Sequence, residues 1–275
     1  MSFYDEIIKY SVSGFEKTGN TLVLNGTHKH VLKNAQDNFF GSRRPDFKFH
    51  RWAGSLKSSQ ALAFNIFSGV DHAEFEYDMW ALDKFSNHKA CVDVAIDENE
   101  IVKMYEVKMF EIVNSRGKNK IFNKPDNQKY FNLENYKWNK EIAISFISFI
   151  KDVQIQFLDK PIYGEGIKQL CCHLLGIINE MTIKDGKLLG KKVELYSLCF
   201  DYPFSKQFEM DLKNYQETLF KFSLIVDDFL AQIKMDKQIK YYGFLSLEKY
   251  INENITLIGS KNFNYVKNRY LFEKC

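Results

Sequence analysis

Three charged residues set the chemistry this chain could carry. The stretch YEVKMFE, residues 105 to 111, places Glu106 and Lys108 in an otherwise apolar, strand-like run. Two residues apart in a strand, they point to one face together with Met104 and Phe110, while Tyr105, Val107 and Met109 take the other. Thirteen residues before Glu106, Asp93 lies in CVDVAID, and the turn-like DENE separates the two runs. An antiparallel hairpin over these runs brings Asp93 close enough to Glu106 to share an ion. Adjacent carboxylates repel, and a divalent cation is the usual way to keep both charged. Phosphodiester hydrolysis asks for this combination: hard oxygen ligands for Mg²⁺ (Mn²⁺ able to substitute), and a cation against the charge that develops on the phosphate. Asp93 and Glu106 would supply the ligands and Lys108 the cation. A solvated strand face is the plain alternative for Glu106 and Lys108, and the facing Asp93 argues against it.

The elements that must position these residues are legible in part. SLKSSQALAFNIF reads as a mostly buried helix capped by Ser58 or Ser59, with Gln60 and Asn65 as polar intrusions. EFEYDMWAL, KACVDVAID and IVKMYEVKMFEIV read as strands, the last two forming the hairpin. Residues 114 to 141 form a long polar connection, a length that is usually functional. IAISFISFIKDVQIQFL leans to helix. GIKQLCCHLLGIINEM repeats apolar residues at helical spacing, Ile167, Leu170, Cys171, Leu174, Ile178 and Met181. KKVELYSLCF suits an interior strand. The stripe Phe208, Leu212, Tyr215, Leu219, Phe222, Val226, Phe229, Ile233 marks a long helix whose bulky aromatics fit core packing better than a coiled coil, although it could also serve a homodimer. A strand, KYYGFLSL, and a helix, LEKYINEN, follow. In residues 1 to 40, DEIIKY and HVLKNAQDNFF suggest helices separated by a polar, glycine-marked connection. The expected architecture is α/β, a mixed β-sheet flanked by helices over residues 56–275, with a helical and loop appendage over 1–55 packed on it.

The chain has 275 residues, 45% of them hydrophobic and 16% aromatic, enough for a substantial core rather than a disordered chain. Its five cysteines are scattered and form no CxxC pair, so neither a disulfide framework nor a zinc finger is indicated. The start lacks a signal-peptide apolar region and no long apolar run follows, which gives a cytoplasmic protein without membrane contact as the expectation. The net charge of +3 is unevenly spread. Residues 71 to 100 carry nine acids and two lysines, whereas 114 to 140 carry seven Lys/Arg against two acids and 42 to 57 five against one. Acidic chemistry between two basic, aromatic-studded segments fits a protein that holds metal ions against a polyanion, although such segments also simply face water in many proteins. Arg43, Arg44, Lys48 and Arg51, and separately Lys118, Lys120, Lys124 and Lys129, could contact DNA phosphates, which carry no base information.

Asp93 followed by Glu106-Val107-Lys108 resembles the signature of the PD-(D/E)XK nuclease superfamily, whose fold is restriction-endonuclease-like. SSQALAFNIF, YEVKMFE, GIKQLCCHLLGI and the terminal NRYLFEK are similar, in the same order, to motifs of a stand-alone bacterial branch, over roughly residues 52 to 275. Val92 stands where the superfamily's proline precedes the acid. The resemblance implies a Mg²⁺-dependent DNA endonuclease, in restriction-like, defence or mobile-element DNA processing. It implies Asp93 and Glu106 as ligands, Lys108 as the catalytic cation, and Gln169 on the later helix as a support. His173, four residues on, shares that helical face. Gln60 or Asn65 could support the site as well, and Glu76 competes for a second ligand position. Plain backbone bonding serves Gln60, Asn65 and His173 equally well, and Glu111 reads as structural.

Other chemistries account for less. His28 and His30 lack partners for a metal site. Cys171 and Cys172 fall in an apolar helix, where packing explains them. A glycosidase acid pair leaves Lys108 unexplained and would need Glu106 protonated beside an ammonium. The rival of a different class is a catalytically inactive nucleic-acid-binding subunit of a defence or repair complex. Three charges kept together inside a sheet argue against it.

Overall fold

The computed structural model describes residues 15–18, 21–24, 58–82, 89–109, 122, 125–136, 140–157, 164–201 and 206–270. The first two strands, β1 (Phe15–Thr18) and β2 (Thr21–Leu24), pair antiparallel with Phe15 opposite Leu24. This hairpin corrects the expectation of an appendage built of helices and loops. Thr21-Leu22-Val23-Leu24 is strand-favouring, and the intervening Gly19-Asn20 is a two-residue turn signal. The helices expected at DEIIKY and HVLKNAQDNFF lie outside the described residues.

Helix α1 (Ser59–Phe67) begins at Ser58, whose hydroxyl accepts the Ala61 N–H at 3.1 Å. Residues 60 to 67 are all buried, as a helix apolar on every side must be. Five strands then make one sheet: β3 (Ala73–Trp80), β4 (Lys89–Glu98), β5 (Ile101–Lys108), β6 (Lys192–Cys199) and β7 (Ile239–Ser246), in that spatial order. β3, β4 and β5 pair antiparallel, and β5, β6 and β7 pair parallel. Asn99 and Glu100 turn β4 into β5, with φ of +66° at Asn99, a conformation Asn accepts more readily than most residues. Parallel neighbours cannot be joined by tight turns, so helices carry each crossover. α2 (Lys140–Gln156) and α3 (Gly164–Thr182) lie between β5 and β6, and α4 (Lys206–Gln232) lies between β6 and β7. α5 (Leu247–Glu253), α6 (Ile255–Ile258) and α7 (Ser260–Tyr270) follow β7.

Helices cover β5 on both faces. Tyr105 packs on Phe67 of α1 and Tyr250 of α5, with ring centroids 4.9 and 5.4 Å away, while its neighbour Glu106 reaches α3 on the opposite side. That double cover accounts for the nearly continuous apolar run in which the charged pair stands out. The aromatic stripe of α4 turns inward: Phe229 stacks on Phe149 of α2 at 4.5 Å, and Phe222 meets Tyr241 of β7 at 5.5 Å. Core packing therefore occupies the stripe.

The polar connection over 114–141 is only partly that. Pro125–Phe131 and Leu133–Asn135 form short 3-10 helices, and Phe122, Tyr130 and Tyr136 are buried in the common core. Lysine and asparagine between these aromatics hide them from a compositional reading. No helix among the described residues is long and apolar enough to cross a membrane.

Candidate active site

The hairpin register places three carboxylates in a row. Phe75 faces Val94 and Tyr77 faces Val92, so Glu76 lies opposite Asp93, and Val94 facing Tyr105 puts Asp93 opposite Glu106. The backbone ladders are interrupted at this row. β3 and β4 skip the Glu76–Asp93 step, where Glu76 has a φ of +51°, and the β4–β5 pairing stops at Val94–Tyr105. A non-glycine residue at positive φ inside a strand is costly, and such strain collects at functional sites. Where the ladder ends, Asp93 Oδ2 accepts the Val107 N–H at 2.7 Å, replacing a strand-to-strand bond by a bond to a carboxylate. Beyond it, β5 continues beside β6, Glu106 opposite Ser197 and Lys108 opposite Cys199.

Glu106 is 2% exposed and Lys108 8%, burial that charged side chains reach only when paired. Lys108 Nζ donates to Glu106 Oε1 at 2.7 Å and to Gln169 Oε1 at 2.9 Å. The other oxygen of Glu106 meets His173 Nε2 at 2.9 Å. An ionised carboxylate only accepts, so Nε2 carries the hydrogen. Burial alone would raise the Glu106 pKa, but the Lys108 ammonium and His173 outweigh it and hold the group at about 2. Asp93 goes the other way. Enclosure of its carboxyl and the nearby Glu106 charge push it well above the usual carboxylate range, Glu76 adds to this, and Lys108 and the Val107 N–H oppose it.

Helix α3 comes so close to the sheet because Gly176 has no side chain: a Cβ there would stand 2.8 Å from Met79 Cβ and 3.3 Å from Ala90 Cβ. At its far end α3 is pinned to β3. Asn179 Nδ2 donates to the Trp80 and Ala81 carbonyls, both at 2.9 Å, and Glu180 Oε1 accepts the Trp80 N–H at 3.1 Å. These contacts fix where Gln169 and His173 meet β5.

Asp93, Glu106 and Lys108 are thus brought together as their spacing suggests, and Gln169 joins them from α3. Glu76 lies beside Asp93, with its oxygens taken by Gln60 Nε2 at 3.1 Å and the Cys91 thiol at 3.2 Å. Gln60 reaches the site through Glu76. Asn65 does not: its amide donates to the Tyr270 hydroxyl at 2.9 Å and ties α1 to α7. Cys91 is the neighbour sequence reasoning missed, and its position two residues before Asp93 was the available signal. Arg43, Arg44, Lys48, Arg51, Glu111, Lys118, Lys120 and Lys124 lie outside the described residues. Lys129 is described, with its ammonium 5.7 Å from the Tyr130 ring centre.

Among the described residues, no three His, Cys, Asp or Glu side chains stand together as a ready cation cage. Mg²⁺ does not need one, since it commonly takes one or two carboxylates and keeps several waters. Asp93 and Glu106 fit that demand, because Asp93 is strained by a neighbouring negative charge that a cation would offset. No protein-family model matches the chain, and no curated protein or solved structure matches it.

Proposed function

We propose that this protein is a Mg²⁺-dependent deoxyribonuclease of the PD-(D/E)XK type, with the restriction-endonuclease-like fold. The observation that carries the reading is the placement of Lys108. A buried ammonium is held by Glu106 on one side and Gln169 on the other, and Asp93 stands opposite Glu106 on the neighbouring strand. The order of elements supports the same reading: a helix, three antiparallel strands, then helices leading to a parallel strand beside the Glu-x-Lys strand.

Asp93 and Glu106 would hold the ion, and Glu76, whose oxygens already accept from Gln60 and Cys91, would compete for a further ligand position. Bound there, Mg²⁺ would polarise a phosphate oxygen and lower the pKa of a water. Lys108 serves as a positive charge, its ammonium held by Glu106 Oε1 at 2.7 Å and Gln169 Oε1 at 2.9 Å. It stabilises the extra negative charge on the phosphate as the bond to the entering oxygen forms. Gln169 has an acceptor on Lys108 and so sets the direction of the ammonium. DNA is the proposed substrate and the cytoplasm the proposed location.

The test is cleavage of supercoiled plasmid by the native protein and by Lys108→Ala, with Mg²⁺, Mn²⁺ or EDTA. Nicking or linearisation that needs the metal is expected, with a loss of about 10²–10³-fold or more in the variant. Cleavage that is equal in the variant, or absent with every metal, would refute the assignment. DNA binding without cleavage would then favour an inactive nucleic-acid-binding subunit.

A further inference from the structure

The imidazole of His173 stands in an unusual position. It is 2% exposed, in a stretch of α3 where Leu170, Cys172, Leu174 and Ile177 are buried as well. Nε2 donates to Glu106 Oε2 at 2.9 Å, while Nδ1 is buried with no hydrogen-bond partner among the described residues. The whole polar capacity of the ring is therefore spent on one oxygen of Glu106. As core filling alone, an apolar side chain would occupy this place without leaving a buried nitrogen unsatisfied. The cost makes sense if the bond to Glu106 matters.

We infer that His173 is a positioning residue for cation binding, acting through Glu106; the inference rests on the nuclease reading of the same site. The terminal torsion of a glutamate is broad and poorly restrained by itself. With Lys108 alone on Oε1, the carboxylate can pivot about that bond. His173 on Oε2 removes the pivot and fixes the plane of the group. A carboxylate offers about four lone-pair positions. Two are used by Lys108 and His173, and the remaining two are held in a fixed direction for a cation. The network is thus a preformed half-site: Glu106 is oriented before any ion arrives, as residues behind metal ligands commonly orient them.

Two substitutions separate positioning from packing. His173→Leu keeps an apolar volume and loses the donor, whereas His173→Gln keeps a donor near the place of Nε2. The measurement is Mn²⁺ binding to the full chain without DNA, by calorimetry or by the electron paramagnetic resonance of free Mn²⁺. Circular dichroism and thermal melting accompany it. Plasmid cleavage across a metal titration is the second readout. His173→Leu should fold and bind Mn²⁺ about 10–100-fold more weakly, and His173→Gln should recover most of the loss. In cleavage, His173→Leu should need more metal to reach a maximum rate close to native. Native-like Mn²⁺ affinity in a folded His173→Leu would overturn the inference, as would equal loss in both variants together with a fall in melting temperature. If the native protein binds Mn²⁺ at Glu106 but cuts no DNA, the nuclease reading fails while the His173 result still stands. No Mn²⁺ binding by the native protein without DNA overturns the His173 inference, while the nuclease reading stands or falls on plasmid cleavage alone.

Discussion

Replacing Glu106 by Gln should cost stability in a way that depends on pH. In the folded protein Glu106 is held at about 2 against an ordinary value of 4.5. At about 1.4 kcal/mol per pKa unit, that difference contributes roughly 3 kcal/mol to folding. The folded pKa lies below the unfolded one, so the contribution is complete above about pH 5 and disappears as pH falls through 4.5 toward 2. Asp93 complicates the measurement, because its raised pKa works in the opposite direction and depends on the Glu106 charge. An Asp93→Asn background removes that interference. The assay is urea unfolding in EDTA, followed by circular dichroism from pH 7 to pH 3, comparing Asp93→Asn with Asp93→Asn/Glu106→Gln. The double variant should be less stable by roughly 3 kcal/mol at pH 7, and the gap should narrow steadily below pH 5. A gap that stays constant with pH, or is negligible at pH 7, would show that Glu106 is not the buried partner of Lys108 and His173. Glu106 would then not belong to a preset charge network.

Two further outcomes follow from the geometry. Gln169→Ala should lower the cleavage rate by about 10–100-fold, less than Lys108→Ala, because it redirects the ammonium without removing it; a full loss in a plasmid assay would contradict that ordering. Gly176→Val should destabilise the protein by about 1–3 kcal/mol or more in urea unfolding, since even a Cβ stands 2.8 Å from Met79 Cβ, and an unchanged midpoint would show that α3 is not tightly seated.

The hairpin that carries the candidate site is the most legible part of the sequence. Period-two alternation and the DENE turn place Asp93 opposite Glu106, because antiparallel register is local information. Gln169 is legible only by likeness to other nucleases, because nothing in a helical repeat says which strand the helix will land on. His173 and Gln60 have the same ambiguity: a buried polar residue in a helix looks alike whether it bonds a carboxylate, as these two do, or ties two helices, as Asn65 does. The N-terminal hairpin escapes notice since FEKT and TLVL are each only four residues long. The buried Tyr130 and Tyr136 are obscured by the lysines and asparagines around them, as a 3-10 segment has no long apolar period to find.

The way the charge network is divided along the chain has a consequence for how it assembles. Asp93, Glu106 and Lys108 sit on one hairpin closed by a two-residue turn, whereas Gln169 and His173 arrive from a helix 61 and 67 residues away from their partners. A hairpin closes fast and early; the helix must close a much longer loop first. Until α3 docks, Lys108 and Glu106 remain in water and their pairing has little effect on energy. The network is then a late event, formed after the barrier to folding. Substitutions at Glu106 and Lys108 should leave the rate of folding nearly unchanged and act almost entirely by hastening unfolding, the pattern of contacts absent from the transition state.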